Sequence, residues 1–252
     1  MTFQKTKSWI RQYGIIYLAG VLIIFGIKYF YSKAGCDELT WILAPTARWV
    51  GILCGIRFEY QPQTGYINHA LRFIIAPSCS GVQFMIITFA TLLYSFVHRM
   101  RSRRGSYYWI GLCLGIAYLF TVFINGIRIV LSVYLPHYLA EQIMRYRFMN
   151  PERLHTIIGT VTFVFGLFII YFTADYATQK LTHLPAKGFI CKWMPPMFWY
   201  FCITLGIPFL NQAYQHEGAK FIEYAMLMTA VWMVIILGVV LKAVVGRWWE
   251  RR

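Results

Sequence analysis

Long apolar runs alternate with short polar connections along the chain. Six of these runs are close to the length of about 20 residues that a helix needs to cross the hydrocarbon core of a bilayer. The pattern predicts an all-α polytopic integral membrane protein with about six transmembrane helices. The expected spans are Tyr13–Tyr31, Ser78–Val97, Tyr107–Ile124, Thr156–Thr173, Trp193–Leu210 and Tyr224–Leu241.

Three shorter segments do not have the pattern of full spans. Gly126–Ala140 is apolar but contains Pro136, and we expect a short or re-entrant helix on the outer side. Residues 39–56 are expected to form an amphipathic helix at the outer interface. Residues 57–77 hold a Gln-Thr-Gly turn between two β-leaning runs, which predicts a small outer β-hairpin.

Composition supports a membrane protein. Hydrophobic residues make up 59% of the chain and charged residues 13%, against about 45–50% and about 25% in a typical globular protein. The net charge of +15 comes from Lys and Arg in short runs between apolar segments. Nucleic acid is therefore not an expected partner, since binding it needs basic residues clustered on one exposed face. The sequence also lacks paired metal-ligand spacings, so no metal or other cofactor is predicted.

The distribution of charge predicts the orientation of the spans. If the N-terminus is cytoplasmic, the inner segments are 1–12, 98–106, 174–192 and 242–252, and they hold 14 of the 24 Lys and Arg residues. Every acidic residue except Asp175 and Glu250 falls in the outer segments. Since cytoplasmic loops are enriched in Lys and Arg, we expect both termini inside.

Three residues near the expected outer ends of spans have types suited to chemistry. Cys79 lies in Pro-Ser-Cys-Ser-Gly, and a cysteine in the first turn of a helix is near unpaired N–H groups that favour the reactive thiolate. Arg128 lies in Asn-Gly-Ile-Arg, and an arginine at membrane depth is costly enough to indicate function. His155 begins the fourth span. The alternatives are a packed structural cysteine, an arginine reaching lipid head groups and an interfacial histidine.

Together the three residues match the needs of acyl transfer, which are a thiolate nucleophile, a proton carrier and a cation for the developing oxyanion. The orientation was derived from loop charges without reference to these residues. Their arrival from three separate segments at one face therefore supports a common site.

The order and spacing of these motifs resemble the exosortase/archaeosortase family. The resemblance covers about residues 39–175 and rests on the Cys79 and Arg128 motifs and on His-x-x-x-Gly from His155. It implies a membrane cysteine transpeptidase or protease with Cys79, Arg128 and His155 as catalytic residues. The side chains expected to bind substrate or orient these groups are Asn125, Ser80, Gln83 and Arg153.

The resemblance also implies the substrate. The family acts on exported proteins with a C-terminal sorting signal, which consists of a short motif (typically Pro-Glu-Pro in Gram-negative bacteria), a transmembrane helix and a basic tail. Cleavage near the motif through a thioacyl intermediate passes the substrate to an acceptor that the sequence does not identify. The expected location is the bacterial inner membrane, in contact with lipid, with the active site on the periplasmic face.

Some interpretations stay open. Residues 1–175 are expected to form the catalytic core, and 176–252 a cytoplasmic loop and two transmembrane helices of unknown role. Cys36 and Cys54 both lie outside and would be exposed to an oxidising periplasm, so a disulfide between them is left open. The alternative functions are a protease that only hydrolyses, and a non-enzymatic carrier or partner in the export of envelope polysaccharide or protein.

Overall fold

The computed structural model describes residues 3–70, 73–100, 102–143, 151–182, 189–210 and 218–250. Most of the described chain is helical. A 3₁₀ turn precedes α3 at Pro77–Cys79 and another follows it at Val97–Arg99, and a π-helical turn at Cys202–Gly206 joins α6 to α7. The helices are α1 Phe3–Lys33, α2 Thr40–Cys54, α3 Val82–Phe96, α4 Arg103–Ile143, α5 Pro151–Thr182, α6 Phe189–Phe201, α7 Ile207–Leu210 and α8 Gly218–Glu250.

Within the described residues, five helical segments are long and apolar enough to cross a membrane. This confirms the predicted all-α polytopic membrane fold. The expected span Trp193–Leu210 corresponds to α6, the π-helical turn and α7 and is not among the five, so the number six remains a prediction. The five segments are Tyr13–Lys33, Pro77–Arg99, Arg104–Pro136, Arg153–Leu181 and Phe221–Gly238.

The expected short or re-entrant helix at Gly126–Ala140 is wrong, because this segment is the continuous second half of the 41-residue helix α4. Pro136 lies inside the helix without ending it. A Cβ atom at Gly126 would collide with the Trp49 ring, so the glycine allows close packing of α2 and does not mark a break. At 1.5 Å per residue α4 is about 60 Å long, about twice the thickness of a hydrocarbon core.

The helix expected at residues 39–56 is present as α2, and it packs along α4. The rings of Trp41 and Tyr118 stack with centroids 5.7 Å apart, and those of Trp49 and Phe123 with centroids 5.5 Å apart. The indole Nε1 of Trp49 also donates a hydrogen bond to the Phe123 carbonyl at 3.2 Å. The second ring pair lies further along both helices than the first, so α2 and α4 run in the same direction.

A small antiparallel sheet follows α2, with strands β1 Glu59–Gln61, β2 Gly65–Asn68 and β3 Phe73–Ile75 in the order β1-β2-β3. The predicted hairpin is β1–β2, and its turn contains Gln63 with a φ of 62°. The third strand was not predicted, because Phe-Ile-Ile has no alternation of polar and apolar residues. β3 ends directly before the turn that carries Cys79.

Asp37, in the connection between α1 and α2, fastens this sheet to the bundle. Its carboxylate accepts hydrogen bonds from the Tyr60 hydroxyl and, at 3.2 Å, from the Gln63 backbone N–H. These two hydrogen bonds hold the pKa of Asp37 below its ordinary value, and the one from Tyr60 has the larger effect. Cys36 and Cys54 are both free thiols and form no disulfide.

Helix α3 is the centre of the bundle. Every residue of Val82–Phe96 except Gln83 is buried, because α1, α4, α5 and α6 pack around it. On the α1 side a Cβ atom at Gly20 would lie 2.8 Å from the Tyr94 hydroxyl oxygen, so glycine there lets the two backbones approach closely. Protein contacts thereby hold α3 along almost its whole length.

A buried ion pair lies at the end of the bundle where α3 finishes, which we call the Arg99 end. Nη2 of Arg99 lies 2.6 Å from Oδ1 of Asp175, and the two side chains are 3% and 5% exposed. Arg99 also donates to the Thr178 hydroxyl at 2.5 Å, and Gln179 donates to Oδ2 of Asp175 at 2.7 Å. The network ties the end of α3 to the last turns of α5.

Candidate active site

Cys79 is the last residue of the 3₁₀ turn that precedes α3. Its backbone N–H donates to the Ala76 carbonyl at 2.8 Å. Gly81, with a φ of +73°, separates this turn from α3. Cys79 therefore lies before α3 and not in its first turn as the sequence indicated, because the left-handed Gly81 separates the 3₁₀ turn from α3.

Asn125 of α4 holds the peptide group of Cys79. Its Nδ2 donates to the Cys79 carbonyl at 2.6 Å, and its side chain is fully buried. A Cβ atom at Gly81 would lie 2.9 Å from Cγ of Asn125, so only glycine leaves room for this contact. The nucleophile candidate is thus positioned by α4 as well as by its own turn.

Arg128, one turn further along α4, contacts the Cys79 thiol. It is 7% exposed, its guanidinium carbon lies 5.3 Å from the centre of the Phe163 ring, and its Cδ packs next to Gly159 of α5. Nε and Nη2 are buried without a hydrogen-bond acceptor. In the described part of the chain no carboxylate forms an ion pair with Arg128. Burying a cation with two unused donors costs free energy, and a ligand that accepts from these donors offsets the cost.

A cavity of about 340 Å³ opens beside Arg128. Its lining includes Ser78 and Gln83 from around the start of α3, Arg128 from α4 and His155 from α5. His155 is exposed and lies close enough to Arg128 for an electrostatic interaction between the two side chains. Cys79 is not among the lining residues, but it is adjacent to Ser78 in the chain and in contact with Arg128. We call this region, with Cys79, Arg128 and His155, the Cys79 end of the bundle.

The structure separates the other candidate residues. Gln83 lines the cavity, whereas Ser80 is fully buried and its hydroxyl accepts a 3.5 Å hydrogen bond from the Val82 N–H. Arg153 does not line the cavity. Its Nε lies 2.5 Å from Oε1 of Glu223, and this ion pair joins α5 to α8.

Sequence reasoning gave no role to the four lining residues that come from the C-terminal part of the chain. Tyr200 and Met228 line the cavity together with Thr204 and Tyr224, although they come from the two C-terminal helical segments. Tyr200 and Thr204 are four positions apart, and so are Tyr224 and Met228. This spacing places both members of each pair on one face of a helix, and it was the signal available in the sequence. Nothing in the sequence shows that these faces meet the helix that carries His155.

Comparison with protein families and known proteins adds one match. A family model described as Transmembrane exosortase matches residues 5–172. No curated protein and no solved structure matches the chain. The matched segment contains the turn with Cys79, the Asn125–Arg128 motif and His155, and it spans well over half of the 252 residues. The chain belongs to the transmembrane exosortase family.

Proposed function

We propose that the protein is a membrane cysteine transpeptidase or protease that processes C-terminal sorting signals of exported proteins. The observation that carries the proposal is the buried guanidinium of Arg128, which contacts the Cys79 thiol and keeps two donors without an acceptor. An acyl-transfer site needs donors of this kind for the oxyanion that forms next to the nucleophile. Family membership supports the same chemistry.

The reaction begins when the Cys79 thiolate attacks the scissile carbonyl. A carbon–sulphur bond forms, and the negative charge that develops on the carbonyl oxygen is stabilised by Nε and Nη2 of Arg128. The carbon–nitrogen bond then breaks, and the leaving amine takes a proton from His155. The product is a thioester on Cys79 and a released C-terminal segment.

The second half of the reaction releases the thioester. Water or an acceptor amine or hydroxyl attacks the thioester carbonyl and gives its proton to neutral His155. The carbon–sulphur bond breaks and Cys79 leaves as a thiolate. Asn125 keeps the Cys79 backbone in place through both steps, and Gln83 is available to bind substrate because it lines the cavity.

We further propose that the protein lies in a bacterial inner membrane with the Cys79 end facing the periplasm. The excess of Lys and Arg in the connections at the opposite end supports this orientation. Exported substrates would then meet Cys79 after translocation, and their basic tails would remain on the cytoplasmic side.

The proposal is tested by the product of a defined reporter. The full-length protein is reconstituted into liposomes with a reporter that ends in a Pro-Glu-Pro motif, an apolar helix and a basic tail, and the new C-terminus is identified by mass spectrometry. We expect cleavage near the motif. Added hydroxylamine should convert the product into a hydroxamate, because it cleaves thioesters. An intact reporter, or cleavage that yields no hydroxamate at any hydroxylamine concentration, would contradict a thioacyl mechanism.

Replacing Arg128 by glutamine should lower the rate of reporter cleavage by about 10²–10³-fold, the loss seen when an oxyanion donor is removed. The thermal unfolding temperature in detergent should not fall, since two donors of the guanidinium lack acceptors in the fold. Arg48→Gln, at an exposed position, is the matched control and should cleave at the wild-type rate. Loss of activity only in step with loss of folded protein would show that Arg128 is structural.

A further inference from the structure

The cavity beside Arg128 is closed by helices that lie beyond the family match. The match ends at residue 172, yet Tyr200, Thr204, Tyr224 and Met228 all line the cavity. These four residues, which we call the C-terminal wall, face the side that carries Arg128 and His155. The last part of the chain therefore completes the site that the family residues begin.

The C-terminal wall is firmly packed. Tyr200 is 2% exposed and its hydroxyl lies 3.9 Å from the sulphur of Met228. Thr160 of α5 donates to the same sulphur at 3.4 Å, and the Thr204 hydroxyl donates to the Tyr200 carbonyl at 2.7 Å. Behind the wall, the Trp232 ring packs against Tyr200 with centroids 5.4 Å apart. The position of the Tyr200 hydroxyl is thus fixed.

The size of the cavity limits what it can hold. Its volume of about 340 Å³ is at the lower end of the range for ligand sites, and a transmembrane helix, about 10 Å across, does not fit in it. It has room for side chains of a short peptide segment. The lining includes the Arg128 cation together with Tyr200 and Met228.

This chemistry selects among side chains. The Tyr200 hydroxyl donates to the Met228 thioether, which is a weak acceptor, and also interacts with the Thr160 side chain. An oxygen acceptor on a ligand replaces the thioether with a stronger partner. The Arg128 charge disfavours a cationic side chain in the same space. Met228 is a flexible side chain in the cavity lining, where it restricts the size of the ligand.

We propose that the C-terminal wall determines the specificity of the reaction, with Tyr200 and Met228 contacting the substrate residue beside the scissile bond. The inference rests on the proposed function, because it takes Cys79 as the residue that attacks this bond. The preferred residue has a side chain that accepts a hydrogen bond and is not cationic, and Met228 sets the largest side chain accepted. The four residues of the C-terminal wall, from a part of the chain whose role the sequence left open, thereby belong to the active site.

Peptidyl chloromethyl ketones test the proposal without a complete turnover. In this reaction the Cys79 thiolate displaces chloride and a carbon–sulphur bond forms. Three probes carry glutamine, norleucine or tryptophan next to the reactive carbon, and iodoacetamide serves as a probe that needs no side-chain pocket. The full-length protein in liposomes is labelled, and the rate at Cys79 is followed by mass spectrometry of the peptide that contains it.

Tyr200→Phe removes one hydroxyl and is expected to lower the preference for glutamine over norleucine by about three- to tenfold, the usual effect of one hydrogen bond. Met228→Ala should raise the relative rate of the tryptophan probe by a similar factor, because it enlarges the cavity. The rate with iodoacetamide should stay the same in both variants. The matched controls are Tyr176→Phe and Met226→Ala, whose side chains are 69% and 63% exposed, and they should retain the wild-type ratios.

The outcomes separate the two proposals. If the wild type labels Cys79 with the peptide probes and the Tyr200 and Met228 variants keep the wild-type ratios, the wall does not determine specificity, and the proposed function stands. If these variants change the iodoacetamide rate as much as the peptide rates, the wall supports only the fold, and the inference is overturned. If no peptide probe labels wild-type Cys79 faster than iodoacetamide does, the proposed function fails.

Discussion

Replacing Cys79 by alanine is expected to lower the rate of reporter cleavage by about 10⁶-fold, which places it below detection. Removing the nucleophile of a catalytic unit costs about this much, because neither the proton carrier nor the oxyanion donor then has an intermediate to act on. The protein should still accumulate in the membrane, because Cys79 is only partly buried and its carbonyl, which alanine retains, makes the contact with Asn125. The measurement is the rate of appearance of the cleaved reporter in liposomes.

Cys202→Ala provides the matched control. Cys202 is a free and exposed cysteine in the π-helical turn, and its thiol has no part in the proposed reaction, so this variant should cleave at the wild-type rate. Cys79→Ser adds a second comparison, since it keeps a nucleophile of similar size but with a much less acidic proton. Cleavage by Cys79→Ala at a rate near that of the wild type would remove Cys79 from the mechanism.

Breaking the buried ion pair at the Arg99 end should cause the largest loss of stability. Arg99→Met or Asp175→Leu alone is expected to lower the free energy of unfolding by about 3–5 kcal/mol, because each leaves an unpaired charge in a buried site. The double variant Arg99→Met/Asp175→Leu should recover much of this loss, since it leaves neither charge. The measurement is reversible unfolding in mixed micelles with increasing denaturing detergent. In Arg99→Met, Lys192 replaces little of the attraction that Asp175 loses, because it lies 3.9 Å away and its side chain is 30% exposed.

The ion pair of Arg153 and Glu223 is the matched comparison. Its nitrogen–oxygen distance of 2.5 Å is similar, but its side chains are 26% and 45% exposed. Exposed pairs contribute about 0–1 kcal/mol, so Glu223→Gln should have a small effect on unfolding. If Asp175→Leu costs no more than Glu223→Gln, the Arg99 end does not hold α3 and α5 together.

The membrane fold could be predicted from the sequence because hydropathy is a local property of each segment. The error at α4 has the same origin. Glycine and proline usually interrupt helices, and Gly126 and Pro136 therefore indicated a break. The packing of Trp49 against Gly126 is a contact between positions far apart in the chain, which a local pattern does not show. The strand β3 was missed for a comparable reason, since its pairing partner β2 and not its own pattern makes it a strand.

The candidate site was predictable to the extent that its residues lie in short motifs. Cys79, Arg128 and Asn125 were found in this way, and the structure brings them together. Arg153 was expected beside them, but its partner Glu223 lies 70 positions along the chain, and a local motif carries no information on such a pair. The C-terminal wall escaped prediction in the same way, because the meeting of α5, α6 and α8 depends on tertiary packing.

The burial of α3 determines how the bilayer can influence the proposed reaction. A helix in contact with lipid tilts when the bilayer becomes thicker or thinner. Almost no residue of α3 has such contact, so a change of lipid acts first on the surrounding helices and reaches Cys79 only through their packing. In the proposed reaction, a change of bilayer thickness would therefore act on Arg128 in α4 and His155 in α5 before it acts on Cys79. The lipid would also determine how readily a membrane-anchored substrate diffuses to the Cys79 end.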